Sequence, residues 1–395
     1  MTQYNFDAII DRHGTAAVKI DRLDAVFGRH DLTPLWIADL DFAVCPEITA
    51  ALSRRLSHPV LGYFEASDGY WQAIIDWNKR RHNFGIERRE LAFVPGVVKG
   101  IALAVNYFTR EGDGVVIQPP VYTPFRTVVE GNSRKIIENP LLFDGETYRM
   151  DLEGLRRIVA EHRPKMMILC NPHNPIGIQW DIDTLAEVGA IAREAGMVVV
   201  SDEIHGDLML EGRKHIPFLA AGPDAEAVGI MLGAPSKTFN IPGLVSSWMV
   251  IKNQALREPY YKWLEVNEFS APVMISAIGA EAAYRNGEAW LDQMLAYVQD
   301  NIDFVIDFAA RRIPGLKVIR PQASFLLWLD FSGLHLCHRE VMNLLLDKAH
   351  LALNDGIMFG SQGENFARLN VGTPRSVLVQ ALESLEMAVC STVKS

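Results

Sequence analysis

Four short apolar runs in the middle of the chain constrain its fold more than any other feature. They are Val115-Val116-Ile117, Met166-Met167-Ile168-Leu169-Cys170, Met197-Val198-Val199-Val200 and Val228-Gly229-Ile230-Met231-Leu232. Helical stretches separate them, one of them around residues 181–195. Short apolar strands alternating with helices imply an α/β sheet covered on both faces. Polar or proline-rich residues follow the runs: Gln118-Pro119-Pro120, Asn171-Pro172-His173-Asn174-Pro175, Ser201-Asp202-Glu203 and Gly233-Ala234-Pro235-Ser236-Lys237. In open α/β sheets, ligands collect beyond the carboxyl ends of the strands, so these exits are where chemistry is expected.

With 395 residues the chain is long enough for a large core and two domains. A hydrophobic fraction of 49% and a charged fraction of 22% describe an ordered globular protein. The 38 basic and 48 acidic side chains leave a net charge of -10, which disfavours a nucleic-acid partner. The runs Arg54-Arg55 and Lys79-Arg80-Arg81-His82 read as solvated helix surface. Cys45, Cys170, Cys337 and Cys390 lie too far apart for a disulfide framework or a paired metal-ligand motif, so no metal is expected and a cytoplasmic location is. The start MTQYNFDAIIDRHG lacks the apolar core of a secretory signal, and no run is long enough to span a membrane.

Flanking the central runs, residues 5–35 read as an arm that packs on something else. The spacing of Trp71, Ile74, Ile75 and Asn78 predicts a helix over 69–82, and a second helix starts after Pro95-Gly96. A long helix over 288–313 carries Trp290, Leu291, Met294, Val298, Ile302 and Val305 on one stripe, followed by Pro314-Gly315. Phe325 to Leu329 reads as a buried strand. A further helix is expected over roughly 338–353, stopped by Asn354-Asp355-Gly356. The expected organisation is an arm and part of a small domain over 1–45, a large domain over 46–285 and a small α+β domain over 286–395.

Tyr122, Asn174, Asp202 and Lys237 fall at the strand exits. Taken singly, each has an ordinary role: a core tyrosine, a turn former, a helix cap and a solvated lysine. Together they suit an aromatic aldehyde cofactor. A lysine amine condenses with an aldehyde, and an aspartate can hold a pyridine nitrogen protonated. Asn174 could donate to a ring phenolate, Tyr122 could stack on the ring, and the backbone at Gly96-Val97-Val98 could cradle a phosphate at a helix start. Spacing alone leaves this assignment open.

The ordered motifs DRHGT (11–15), ADLDF (38–42), NPHNPIG (171–177), SDEIHGD (201–207), SKTFNIPG (236–243) and FARLNVGTPR (366–375) carry a resemblance covering nearly the whole chain. The sequence resembles fold-type I pyridoxal-phosphate enzymes of the class I/II aminotransferase superfamily. Within them it resembles the MalY/PatB-type cystathionine beta-lyase (carbon–sulfur lyase) branch. The resemblance implies a three-layer α/β large domain with a mostly parallel sheet, a smaller α+β domain, and a homodimer with active sites shared across the interface.

It also implies roles. Lys237 matches the lysine that binds pyridoxal 5'-phosphate and later shuttles the substrate's α proton. Asp202 matches the partner of the pyridine nitrogen, Asn174 the donor to the phenolate and Tyr122 the stacking aromatic. Val97, Val98 and Ser236 match the phosphate cradle, and Tyr63 a tyrosine reaching the partner subunit's phosphate. Arg368 matches the clamp on the substrate carboxylate, while Trp36 and Ala38 fall in the substrate-facing segment. His205 falls in the pocket or packs behind it, and Arg375 braces the carboxylate region or a loop.

Two positions depart from the common aminotransferase pattern. Ala234 stands where a serine is common, and Val245 stands where a phosphate-binding arginine is common. Val245 fits the lyase branch, and both together predict weaker cofactor retention. The resemblance implies β-elimination from a sulfur-containing L-amino acid such as L-cystathionine, giving pyruvate, ammonia and a thiol. Transamination is the alternative activity, and a regulatory protein-binding role the non-enzymatic one.

Overall fold

A computed structural model of the chain describes residues 3–393. At its centre lies a seven-stranded sheet in the order Leu91–Val94, Ser247–Val250, Gly229–Gly233, Val198–Asp202, Met166–Cys170, Gly114–Ile117, Lys135–Glu138. It is parallel except for Ser247–Val250, which runs antiparallel to both neighbours.

Successive strand side chains point to opposite faces, so the apolar runs serve two cores at once. Met166, Ile168 and Cys170 pack with Ile101 and Val105 of the Val97–Phe108 helix and with Tyr260 and Leu264 of the Gln254–Val266 helix. Met167 and Leu169 join the other core, which includes Leu185 and Val188 of the Ile182–Ala195 helix and Ile74 and Trp77 of the Asp68–His82 helix. The result is a three-layer α/β/α unit.

Several of these helices carry local start and stop signals. Ser67 accepts from the Tyr70 amide and Asp181 from the Thr184 amide, which satisfies first-turn donors. Asn83 and Gly196 close the same two helices in the left-handed region. The Val97–Phe108 helix differs: Gly96 caps it without a side chain, and its first turn has no acidic residue. Its first N–H groups therefore have no side-chain acceptor.

A second sheet of four antiparallel strands has the order Lys317–Ile319, Leu326–Asp330, Phe366–Asn370, Asn354–Asp355. The Glu288–Arg312 helix buries Trp290, Leu291, Met294, Val298, Ile302 and Val305 in the adjoining core, and the Arg375–Val393 helix packs beside it. The helix expected over 338–353 is shorter. It runs His338–Asn343, widens into a π turn over Leu344–Lys348, and the chain then turns at His350, where φ is +53°. Leu351–Ala352 instead pairs in parallel with Thr33–Pro34, and Asn354–Asp355 becomes an edge strand. A long-range pairing has outcompeted local helix preference.

That pairing delivers the N-terminal arm to the small sheet. The Leu35 amide donates to the Ala352 carbonyl (3.0 Å), and the Leu35 carbonyl accepts from the Asn370 amide (2.9 Å). Among the described residues no helix is long and apolar enough to cross a membrane, and no group of three His, Cys, Asp or Glu side chains is arranged to hold a metal ion.

Candidate active site

Beyond the carboxyl ends of the central strands lies a cavity of about 300 Å³. Asp202 ends the Val198–Asp202 strand, directly beside Cys170 at the end of its neighbour. Lys237 sits in the single turn Pro235–Thr238 that follows Gly229–Gly233. Gly233 is required there: a Cβ would stand 2.3 Å from the Trp248 ring on the adjacent strand. Asp202, Asn174, Tyr122, His205, Ser236 and Lys237 all line this one cavity. So do Val97 and Val98 at the helix start, and Ala38 from the arm.

Burial dominates the electrostatics. It lowers the Lys237 ammonium to a pKa of about 8, helped by the positive charge of Arg368 and opposed by Asp39 and Asp202. It raises the Asp202 carboxyl to about 7, against the Ile204 N–H that the carboxylate accepts at 3.1 Å. His205 is pushed down to about 3 by burial and by the cations Lys237 and Arg368, so its ring is neutral; Nδ1 lies 3.1 Å from the Ser324 hydroxyl.

Arg368 is buried on the Phe366–Asn370 strand of the small sheet. Nη1 donates to Asn174 Oδ1 (3.0 Å), and Nη2 donates to the Trp36 carbonyl (3.1 Å) and Asn354 Oδ1 (2.6 Å). Its guanidinium lies over the Phe359 ring at 5.0 Å, and its Nε–H has no partner. Burial lowers its pKa to about 10, so it remains charged.

The arm crosses the site as a strap whose carbonyls are held largely by side chains. Arg368 holds Trp36, and Asn370 Nδ2 holds Ile37 and Asp39, both at 2.7 Å. Lys237 Nζ donates to the Ala38 carbonyl at 2.5 Å. Asn240 Nδ2 holds Leu40 (2.9 Å) and Phe42 (3.0 Å), while its Oδ1 accepts from the Leu40 amide (2.9 Å). Asp39 and Asp41 are paired with Arg12 and the buried Lys19, which ties the DRHGT segment to the strap.

Behind the lysine, Asp207 accepts from Thr238 Oγ1, Trp77 Nε1 and His82 Nε2, each at 2.8 Å. Burial pushes the Asp207 carboxyl up, but the bonds led by His82 bring its pKa below the ordinary value. Glu203, next to Asp202, meets His215 Nε2 (2.7 Å), Ser201 Oγ (2.9 Å) and the Phe218 amide (2.8 Å). Lys237 and Asp202 thus both have neighbours in the chain fixed by buried polar contacts.

One expected site residue turns elsewhere. The Trp36 ring turns away from the cavity: its Nε1 donates to the Lys19 carbonyl (3.0 Å) and the ring packs with Leu23, Leu32 and Ala352. Trp36 reaches the site through its carbonyl. Tyr63, expected to reach a partner subunit's phosphate, is fully exposed, close in sequence to exposed Val60 and Leu61. Arg375 braces the C-terminal layer, donating through Nε to Asn301 Oδ1 (2.7 Å). Sequence reasoning missed Asn240, Asn354 and Asn370 as site residues; Asn240 and Asn370 lie within the motifs SKTFNIPG and FARLNVGTPR, whereas Asn354 was read only as part of a helix stop.

The family model of aminotransferase class I and II matches residues 30–385. Cystathionine beta-lyase PatB of Bacillus subtilis (strain 168) is 39% identical over 385 residues, covering 98% of this chain and all of that protein. The crystal structure of cystalysin from Treponema denticola, which contains a pyridoxal 5'-phosphate cofactor, superposes with a TM-score of 0.94 at 31% identity, covering 99% of this chain and 100% of that one. A pyridoxal-phosphate-bound C–S lyase from Staphylococcus hominis superposes with a TM-score of 0.91 at 31% identity, covering 98% of each chain.

Proposed function

Because the chain belongs to the class I and II aminotransferase family, in its MalY/PatB-type carbon–sulfur lyase branch, and is a pyridoxal-phosphate enzyme, we propose that it eliminates a thiol from sulfur-containing L-amino acids such as L-cystathionine. The observation that carries this reading is the convergence of Lys237, Asp202, Asn174 and Tyr122 on one cavity whose wall includes an uncapped helix start. That donor set fits the cofactor. Lys237 would be the amine for its aldehyde, Asp202 would partner its ring nitrogen, Asn174 would meet its phenolate and Tyr122 would lie against its ring. The amides of Val97 and Val98, with Ser236, would hold its phosphate.

When bound, pyridoxal phosphate supplies an electron sink that makes the α-proton of an amino acid acidic. The residues around it supply position and proton transfer. Arg368 binds the substrate's α-carboxylate, using its free Nε–H and a guanidinium plane fixed by Asn174, Asn354 and Trp36. Lys237, with a pKa near 8, has a neutral fraction near pH 7 and accepts the α-proton at Nζ. The Ala38 carbonyl holds that amine on the strap side of the site. The Cα–H and Cβ–S bonds break, and water completes the reaction: one thioether amino acid and one water give one thiol, one pyruvate and one ammonium.

A homodimer is part of the same reading. Val60, Leu61 and Tyr63 are exposed together, and covering such a patch with a second copy would also bring Tyr63 to another subunit's site. The test is an absorbance spectrum of the purified protein during addition of L-cystathionine, with pyruvate and free thiol assayed in the same sample. Equal growth of both products is expected. A 2-oxo acid that keeps the substrate's side chain would replace elimination by transamination.

A further inference from the structure

Lys237 is carried by a helix of one turn. Pro235–Thr238 has four residues, its N-cap Ala234 offers no side-chain bond, and the Phe239 amide closes it on the Pro235 carbonyl (2.9 Å). So short a turn does not hold itself, because fixing its dihedral angles costs more than one hydrogen bond returns. The lysine side chain adds several freely rotating bonds. At its tip, Nζ is held by the Ala38 carbonyl. That hold is temporary in the reaction proposed above, since the same nitrogen serves the cofactor's aldehyde and then the substrate's proton. Only the base of the side chain can keep one place throughout.

The next residue fixes that base. Thr238 is fully buried, and its Oγ1 donates to Asp207 Oδ2 at 2.8 Å. The other oxygen of the same carboxylate accepts from Trp77 Nε1 and His82 Nε2, each at 2.8 Å. Both donors belong to the long Asp68–His82 helix, so the turn is tied to a rigid element. Trp77 grips it a second way: its ring meets that of the buried Phe239, the residue after Thr238, with centroids 5.4 Å apart. Asp207 lines a separate cavity of about 510 Å³ with His82 and His215, and none of the residues lining it lines the cofactor cavity. Asp207 thus stands outside the reacting chamber and reaches it through the turn.

We propose that the Thr238–Asp207 hydrogen bond is a rear clamp that positions Lys237 for proton transfer. Thr238 and Asp207 are then positioning residues. The inference rests on the pyridoxal-phosphate reading and adds two residues to it. Thr238→Val keeps the side-chain shape, deletes the hydroxyl and leaves a buried carboxylate oxygen without its donor. Thr238→Ser keeps the donor. Asp207→Asn keeps an acceptor for Trp77 and His82 and turns an N–H toward Thr238 Oγ1, which reverses one bond without removing it.

The experiment compares these three variants with the unaltered protein, each saturated with pyridoxal phosphate, in steady-state kinetics on L-cystathionine. A misplacement of about 1 Å costs roughly 100-fold in rate, so Thr238→Val should lower kcat about 10- to 100-fold with KM within about threefold. Thr238→Ser should keep kcat within about fivefold of the parent, and Asp207→Asn should fall between the two. Hydrogen exchange of the proteins as purified is the second readout. The Phe239 amide should exchange roughly 10- to 100-fold faster in Thr238→Val and near the parental rate in Thr238→Ser, with peptides of the Ile182–Ala195 helix unchanged.

A kcat within about twofold of the parent in Thr238→Val overturns the clamp, whatever the exchange rate at Phe239. So does an equal loss in Thr238→Val and Thr238→Ser, which assigns the effect to shape rather than to the hydroxyl. A loss carried by KM with kcat intact overturns it too. Should Thr238→Val fail to fold, Thr238→Ala makes the same comparison. Failure of the unaltered protein to take up pyridoxal phosphate would instead sink the cofactor reading, and exchange at Phe239, which needs no cofactor, would still decide whether the hydroxyl holds the turn.

Discussion

Asn240 holds three backbone groups of the strap with a single side-chain amide while its own backbone sits at φ +56°. Glycine accepts that backbone conformation without strain, so Asn240→Gly removes the hydrogen bonds and little else. Each is worth about 0.5–1.5 kcal/mol net, and three together about 2–4 kcal/mol of local stability. The strap also keeps Asn370, Arg368 and Lys237 as anchors, so the loss should open residues 38–42 without unfolding the molecule. Hydrogen exchange reads this directly. The Leu40 amide, which now donates to Asn240 Oδ1, should exchange roughly 30- to 1,000-fold faster, because about 1.4 kcal/mol is one decade. Peptides from the Met166–Cys170 strand should be unchanged. Turnover should fall as well, because the Ala38 carbonyl that holds Lys237 belongs to the loosened segment. Acceleration of less than threefold at Leu40 would refute the claim that this amide holds the strap.

Arg368→Lys replaces a planar fork serving three fixed acceptors by a point charge, so kcat/KM should fall about 100-fold, mostly through KM, with the bound-cofactor spectrum preserved. Steady-state kinetics with an unchanged KM would contradict the carboxylate role. Lys237 titrates near 8 when folded against 10.5 unfolded, so its contribution to stability is full above pH 10.5 and lost as pH falls through 8. Cofactor-free Lys237→Met should therefore outlast the cofactor-free parent by on the order of 3 kcal/mol below pH 8, the gap closing toward pH 10.5 in urea titrations. A gap that widens with pH reverses the sign and the argument. Asp202 has the opposite slope: its raised value of about 7 makes its contribution full below about 3.8 and lost as pH rises through 7, so Asp202→Asn should stabilise the cofactor-free protein above pH 7. Gly177→Ala introduces a Cβ 2.5 Å from Pro321 Cβ and 2.8 Å from the Ala323 carbonyl at φ +69°, and should cost about 2–4 kcal/mol in the same titration. A parent-like midpoint would show that the loop carrying Asn174 can relax freely.

Four of the seven central strands were legible in the sequence because they are continuous apolar runs, and a strand buried on both faces leaves that signature locally; Leu91–Val94, Lys135–Glu138 and Ser247–Val250 were not read. The cavity followed, since Asp202, Asn174 and Lys237 stand where those runs stop. What local pattern could not carry was pairing between distant segments. His338 to Leu353 has helical composition, but Leu351–Ala352 finds a parallel partner in Thr33–Pro34 more than 300 residues earlier. Trp36 sits in a motif beside the site, yet its ring direction depends on Lys19 and Ala352 rather than on its neighbours in sequence. Asn240 and Asn370 were visible only as letters within motifs. Their work is on carbonyls about 200 and 330 positions away.

The strap has a consequence for how the protein is made. Trp36 and Arg368, which meet across the site, are separated by 332 positions. At about 5–20 residues per second a ribosome needs roughly 15–70 s to travel between them. Until Asn240 is made the ADLDF segment lacks the side-chain donors to its Ala38, Leu40 and Phe42 carbonyls, and until Asn370 is made it lacks the donor to Asp39. The central sheet, complete by residue 250, can form first. Closure of the site therefore waits for Arg368 and Asn370, near the end of synthesis, and a chain that stops before them leaves the Trp36, Ile37 and Asp39 carbonyls without their side-chain donors.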